Sequence, residues 1–389
     1  MFYEFLEVPN SILDFGSTTL DAQFATINMG QGAASANTAT ATGVLTFGAG
    51  TLTATTVNLG MGATSSNAVA FGSGTINQSG GTAIISTMTI GKNTGTGATT
   101  TSGTYNLVGG ILKATTIQAG TVAGSGAATR TINWTGGTIQ NLSGGDLTIG
   151  TGIDIKMNGT NTFYADASRT ITVNTALGFT GGITGTLVKD GAGTLTLTGT
   201  NSYTGNTNVN QGTLVIKGSI STSLLTTVQS GAALGGSGTV GAATVGGILA
   251  PGNSIGTLTA TGDVTWNNND AWVFELGVAS LNLAAASGGS DNDLLNITGA
   301  GSDFLKGTGS SFTFDFANTG AVGWYKLVDW TGTTNFVGTD FSTTGLTSGL
   351  TGTFTVDSGT SALYLNIVPE PSAALLGTLG LLGLLRRRR

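Results

Sequence analysis

Apolar residues in this chain come in short runs, alternating with Thr, Ser and Asn, and most runs end at Gly. In Thr115-Thr116-Ile117 and Leu147-Thr148-Ile149 the apolar positions sit two apart or beside Thr, the period of a strand with one buried face. Helical spacing is nearly absent before the C-terminal tail. Gly costs a helix about 1 kcal/mol per site and Thr loses rotamer freedom there, so these runs predict strands joined by Gly turns. From Thr18 to Gly150 the runs form a loose repeat: GAGTLTATTVNLG from Gly48, SGGTAIISTMTIG from Ser79, LVGGILKATTIQAG from Leu107 and TGGTIQNLSGGDLTIG from Thr135. Gly50, Gly81, Gly110 and Gly137 fall at matching places. A period of roughly thirty residues signals stacked units, none of which can bury its apolar face alone. The pattern therefore predicts an all-β solenoid, a β-helix with inward Ile, Leu and Val, and with Thr and Asn able to form ladders from coil to coil.

Composition narrows this further. The chain has 389 residues, 66 Gly, 4 Pro and no Cys, and only 8% of it is charged, about a third of the usual share. Hydrophobic residues at 39% exclude a disordered chain, and the lack of a three-residue Gly period excludes collagen. No disulfide framework or thiolate metal site can exist. The net charge is −6, yet four of the 13 basic residues are the last four, leaving no basic patch for a nucleic acid. The opening MFYEFLEVPNSILDFG lacks Lys and Arg and carries Glu4 and Glu7, so it does not read as a secretory signal. Residues 1–17 are expected to be an irregular segment from a truncated start; the alternative is a protein that is not exported.

Beyond residue 186 the spacing tightens. Gly193-Thr194-Leu195 and Gly212-Thr213-Leu214 are nineteen residues apart, about one coil of a parallel β-helix at roughly 20 residues per turn. This section resembles the autotransporter-associated β-strand repeat of bacterial passenger domains. The matching positions are Lys189, Gly191, Gly193, Thr194, Leu195, Leu197, Gly199, Asn201, Tyr203, Gly205, Thr207, Gly212, Thr213 and Leu214. GILAPGNSIG, residues 247–256, is similar to the element that follows such repeats. The resemblance covers about a quarter of the chain and implies a right-handed, displayed β-helical stalk with no catalytic residues. No succession of amphipathic strands for a membrane barrel follows it.

The tail reads VPEPSAALLGTLGLLGLLRRRR. Pro369, Glu370 and Pro371 stop the preceding strand. Residues 373–385 are an uncharged helix candidate, with Ala373, Leu375, Leu376, Leu379, Leu381, Leu382, Leu384 and Leu385 making up its membrane segment. Arg386, Arg387, Arg388 and Arg389 follow at once and belong on the cytoplasmic side of a membrane. The run is short of the about 20 residues of a full span. In order and position these features closely resemble the PEP-CTERM sorting signal of Gram-negative bacteria. That resemblance implies processing by an exosortase-type enzyme, a transient stay in the inner membrane, and delivery to the surface, often together with exopolysaccharide. A simple C-terminal anchor is the plainer reading.

Candidate chemistry is sparse. There is no His, so Ser-His-Asp, Cys-His and His-ligated zinc sites cannot form. No Ser-x-x-Lys occurs, and Gly91-Lys92-Asn93 lacks the rest of a phosphate loop. Residues 288–294, Gly-Gly-Ser-Asp-Asn-Asp-Leu, partly resemble the calcium nonapeptide of repeat toxins. As a single copy they read better as a polar turn, with Asp291 and Asp293 as its carboxylates. Asp154 with Lys156 and Asp166 with Arg169 have the residue types of a polysaccharide lyase, but scattered surface charge accounts for them equally. Trp266, Trp272, Trp324 and Trp330 mark residues 266–368 as a β region or cap, or else as an aromatic platform for glycan. The expected protein has solenoid sections over 18–165 and 166–265, this C-terminal region, and the 369–389 tail with its short apolar helix. Catalytic residues, metal and cofactor are expected to be absent. The expected role is an exported structural protein, with a glycan-binding adhesin and a carbohydrate-active enzyme as rivals.

Overall fold

The computed structural model describes residues 2–8, 11–31, 40–62, 71–93, 100–123, 126–178, 184–252, 254–267, 270–318 and 320–370. The protein is all-β, with strands that are mostly parallel, and the only helical turns among the described residues are the 3-10 turns Leu283–Ala285 and Gly338–Asp340. The helix expected over 373–385 lies outside the described residues. The chain divides into an N-terminal unit, Met1–Leu234 with Gly238–Ala243, and a C-terminal unit, Gly235–Ser237 with Thr244–Arg389. The division falls within residues 166–265.

In the N-terminal unit each strand pairs in parallel with the matching strand of the next rung. Thr40–Met61 is long enough to serve two tracks: its first half pairs with Phe71–Gln78 and its second half with Thr82–Lys92. The first track continues through Thr100–Leu107, Ala127–Trp134 and Asp154–Met157. The second passes through Ile111–Ala119 to Leu147–Ile149, Thr170–Val173, Thr194–Leu197 and Thr213–Ile216. Period-two alternation is explicit in FGSGTINQ, where every second residue is buried. Leu45, Ile76, Tyr105, Ile132 and Ile155 stack as one inward column, each at most 1% exposed. The step along that column shortens from 31 residues (Leu45 to Ile76) to 23 (Ile132 to Ile155). On the second track it reaches 19, from Leu195 to Leu214. Residues 2–8 and 11–17 are not irregular, because Phe2–Val8 is a parallel strand on Ser11–Met29, which itself pairs with Thr40–Met61. Their alternation is only one rung deep at that end, which is why the repeat was not visible there.

The four matched glycines explain themselves. Gly50, Gly81, Gly110 and Gly137 have φ between 65° and 82°, a conformation that Gly enters at no steric cost. They also stack: a Cβ on each would lie 2.3–2.8 Å from a carbonyl oxygen of the rung before, those of Leu20, Gly50, Gly81 and Gly110 in turn. On the outward face Asn77 donates to Thr46 Oγ1 (3.2 Å), Asn106 to Asn77 (2.7 Å) and Asn133 to Asn106 (2.6 Å), an amide ladder across four rungs.

The C-terminal unit continues in parallel before it reverses. Thr257–Ala260 pairs with Leu294–Ile297, and that with Gly323–Asp329; Trp272–Phe274 pairs with Phe312–Phe316, and that with Phe341–Thr344. Ala362–Pro369 then lies antiparallel between Gly323–Asp329 and Leu350–Asp357. The turn between the last two strands is held by Asp357, which accepts from Gly359 N (2.8 Å) and Thr360 Oγ1 (3.0 Å), an Asx-type turn. Trp266 and Trp272 are fully buried and stacked at 3.8 Å between ring centroids, with Phe312 and Phe314 edge-on to Trp266.

Candidate functional sites

The most unusual side chain of the N-terminal unit is Lys189. In Gly185–Asp190 the alternation turns Leu187 and Lys189 inward. Lys189 sits in the column between Phe163 and Val209 and is 0% exposed. Its ammonium donates to three backbone carbonyls, of Asp190 (3.0 Å), Gly191 (2.7 Å) and Gln211 (2.9 Å), which uses all three of its donors. Burial pushes its pKa down to about 8, against the pull of the Asp190 carboxylate. The cation thus ties the turn of its own rung to the turn of the next. The sequence marked Lys189 as a repeat position without a role. Its phase with Leu187 was the available signal, but a lysine in a strand ordinarily faces water.

The loop 288–294 is a brace. Asp293 is 2% exposed, and its two carboxylate oxygens accept from Gly256 N (2.9 Å) and Glu275 N (2.7 Å). Its own N–H donates to Glu275 O, and Leu294 N to Gly256 O. Burial pushes the Asp293 pKa up to about 7, only partly countered by these two donors. Asp291 is held instead by Ser287 and Ser290. The two carboxylates therefore serve different partners, and no group of three or more potential metal ligands converges among the described residues.

The lyase-type pairs are also separated in role. Lys156 Nζ lies 3.6 Å from Asp154 on the outward face, beside an open cleft of about 490 Å³ that Thr129, Thr131 and Thr175 also line. Arg130, in the same cleft, is turned onto the carbonyls of Ile90, Gly91 and Gly120. Asp166 accepts from the amides of Gln140 (2.9 Å) and Asn141 (3.2 Å), and its contact with Arg169 is a backbone one. An exposed aromatic platform is not what the tryptophans form. Trp266 and Trp272 are buried, Trp330 is 5% exposed, and Trp324 packs against Ala286, Ala362 and Tyr364. Of the tail, Pro369 closes the last strand opposite Leu350, and Glu370 N donates to Gly349 O (2.8 Å). Pro371, the apolar run and Arg386, Arg387, Arg388 and Arg389 lie outside the described residues. No helix among the described residues is long and apolar enough to cross a membrane.

Two comparisons with known proteins bear on this chain. An extracellular serine protease of Serratia marcescens is 43% identical over 94 residues, covering 24% of this chain and 9% of the relative, so the chain spans under a tenth of that protein. Residues 187–216, from Leu187 through the buried Lys189 to Ile216, match the passenger-associated-transport-repeat family.

Proposed function

We propose that the protein is exported and displayed at the surface, or in the matrix, of a Gram-negative bacterium as a passive structural stalk. In this reading the stacked parallel strands are a right-handed β-helix, and residues 369–389 act as a PEP-CTERM tail that an exosortase-type enzyme removes in the inner membrane. The observation that carries the reading is the passenger-type repeat at 187–216. The order Pro-Glu-Pro, apolar run and Arg cluster in the sequence supports the sorting step. We also take the protein to be non-enzymatic, a reading supported by a sequence without His, which a Ser-His-Asp triad needs. The test is expression in hosts with and without an exosortase, followed by fractionation and mass spectrometry of the mature form. The reading expects a surface form lacking peptides that span Leu385 and Arg386. Replacing Glu370 is expected to leave the chain uncut in the membrane. Recovery of intact tail peptides from the surface form would favour a permanent anchor.

A further inference from the structure

The C-terminal unit leaves apolar side chains uncovered at one corner. Among its described residues, four large apolar side chains are more than half exposed: Val278, Leu281, Val322 and Val337. Three of the four lie within two residues of a single pairing, in which Ser280 and Trp324 exchange backbone bonds of 3.0 and 2.9 Å. Val278 stands two residues before Ser280, Leu281 one after it, and Val322 two before Trp324. Their exposures are 70%, 98% and 51%. Beside them Leu283 and Trp324 are only partly buried, packed on Ala286, Ala362 and Tyr364. An apolar side chain exposed singly needs no explanation, but several at one place mark a surface that something covers.

The same corner is where the chain leaves the sheet. Gly323 pairs with Ile367, so the register sets Val322 opposite Val368, and Glu370 follows two residues on. Neighbouring antiparallel strands are about 4.5–5.5 Å apart, and three extended residue steps cover about 10 Å. Residue 373, the first of the uncharged run 373–385, is therefore within reach of Val322. The length of the run fits as well. From Val322 the patch crosses to Leu281 and follows the segment back to Val278, about 5 Å between strands and about 13 Å along four residues. Thirteen residues at the helical rise span about 20 Å. At the far end Val278 N donates to Asp291 O (2.8 Å). The Asp291 carboxylate is held by Ser287 and Ser290 and forms no ion pair among the described residues. Arg386, Arg387, Arg388 and Arg389 follow the run directly, so a run laid from Val322 to Val278 brings cations to that carboxylate.

We propose that the uncut chain stows its own apolar run, residues 373–385, on the patch of Val278, Leu281 and Val322, with the Arg cluster beside Asp291. Run and patch are both unfavourable in water, and one contact covers both. The run is tethered two residues from the last strand, so its effective concentration at the patch is high, about millimolar for a short linker, and a second copy does not compete. The contact keeps the run out of water until a bilayer offers it a larger apolar phase. Loss of the tail then uncovers the patch on the mature form. The inference goes beyond the sorting step and does not depend on it, because the contact belongs to the chain before any cut.

The chain has no Cys, so introduced pairs report cleanly. The full-length protein is purified without detergent from a host that lacks an exosortase and is oxidised with copper phenanthroline; disulfides are read by peptide mass spectrometry. Val322→Cys with Leu375→Cys, and Val278→Cys with Leu384→Cys, are expected to link within one chain about fivefold more than the exchanged pairs, Val322→Cys with Leu384→Cys and Val278→Cys with Leu375→Cys. Ser358→Cys, in the turn at the opposite end of the last strand, gives the background with either tail position. Melting curves matching the wild type show that the variants are folded. Equal yields for matched and exchanged pairs overturn the proposal, as do matched yields no higher than background and links that join two chains. Leu281→Lys gives a reading without Cys: with its run released, the variant is expected to bind vesicles of phosphatidylethanolamine and phosphatidylglycerol about fivefold faster than the wild type. An unchanged rate overturns the proposal too. Because the host has no exosortase, failure here leaves tail processing untouched, and a tail that is never cut leaves this result standing.

Discussion

The two units solve the same problem, a stack of parallel strands, with different cores. The N-terminal unit fills its interior with columns of Ile, Leu, Val and Met, and the aromatics among them stand singly or in pairs, as Tyr105 does and as Trp134 does against Phe163. The C-terminal unit gathers Trp266, Trp272, Phe304, Phe312, Phe314, Phe336 and Phe341 into one contiguous aromatic cluster. Column packing links each rung only to its neighbours, so damage stays local. A shared cluster links strands that are far apart in sequence, so damage spreads through it. The two units also carry buried charges of opposite kind: a cation on carbonyls at Lys189, and a carboxyl on N–H groups at Asp293.

The largest expected effect comes from emptying the aromatic cluster. Trp266→Ala should cost the C-terminal unit about 3–5 kcal/mol. Hydrogen-exchange mass spectrometry should then report lost protection across strands from Thr257–Ala260 to Ala362–Pro369, and not only beside residue 266. Protection lost at Val264–Trp266 alone would mean that the cluster is not cooperative.

Next is Lys189→Met, which removes three charge-assisted bonds but also the burial of a cation. A net loss of about 2–3 kcal/mol is expected. The same measurement should confine it to the rungs around Gly159–Tyr164, Gly185–Asp190 and Thr207–Val209, leaving Phe71–Gln78 protected. Spread to that distant strand would contradict nearest-neighbour packing.

The buried charges give the units opposite pH responses. Asp293 ionises near 7 when folded and near 3.8 when unfolded, so between these values the folded state holds the extra proton. The stability of the C-terminal unit should fall as pH rises from about 4 to about 7 and be flat above. Lys189 loses its proton near 8 when folded and near 10.5 when unfolded. The stability of the N-terminal unit should therefore rise as pH climbs from about 8 to about 10.5. Melting curves across pH should show shifts of about 5 °C in each window, and Asp293→Asn should flatten the acidic one. The smallest effect is Asn106→Ala, which breaks the amide ladder at one rung for about 1 kcal/mol, read from urea unfolding.

Much of the N-terminal unit was legible because its signals are local. Gly50, Gly81, Gly110 and Gly137 each need a left-handed turn on the same column, and identical demands leave identical residues. The nineteen-residue step from Leu195 to Leu214 was legible for the same reason. The C-terminal unit was not. Its steps are long and unequal, 37 residues from Leu258 to Leu295 and 33 from Leu295 to Val328, so no period survives in the sequence. Buried polar groups escaped as well. Lys189 and Asp293 are satisfied by backbone atoms, which leave no trace in residue identity.

The antiparallel end has a kinetic consequence. Every parallel pairing in the 187–216 repeat joins residues nineteen or more apart, whereas Leu350–Asp357 and Ala362–Pro369 are joined by four residues, 358–361, already bent by the Asp357 turn. Loop-closure entropy grows with the logarithm of loop length, at about 0.6 kcal/mol per doubling. The hairpin therefore meets the lowest entropic barrier among these pairings, and hairpins close in about 1–10 μs. Its inner strand then offers Gly323–Asp329 a ready edge. Folding of the C-terminal unit should accordingly start at its last two strands and run backwards along the chain, against the order of synthesis.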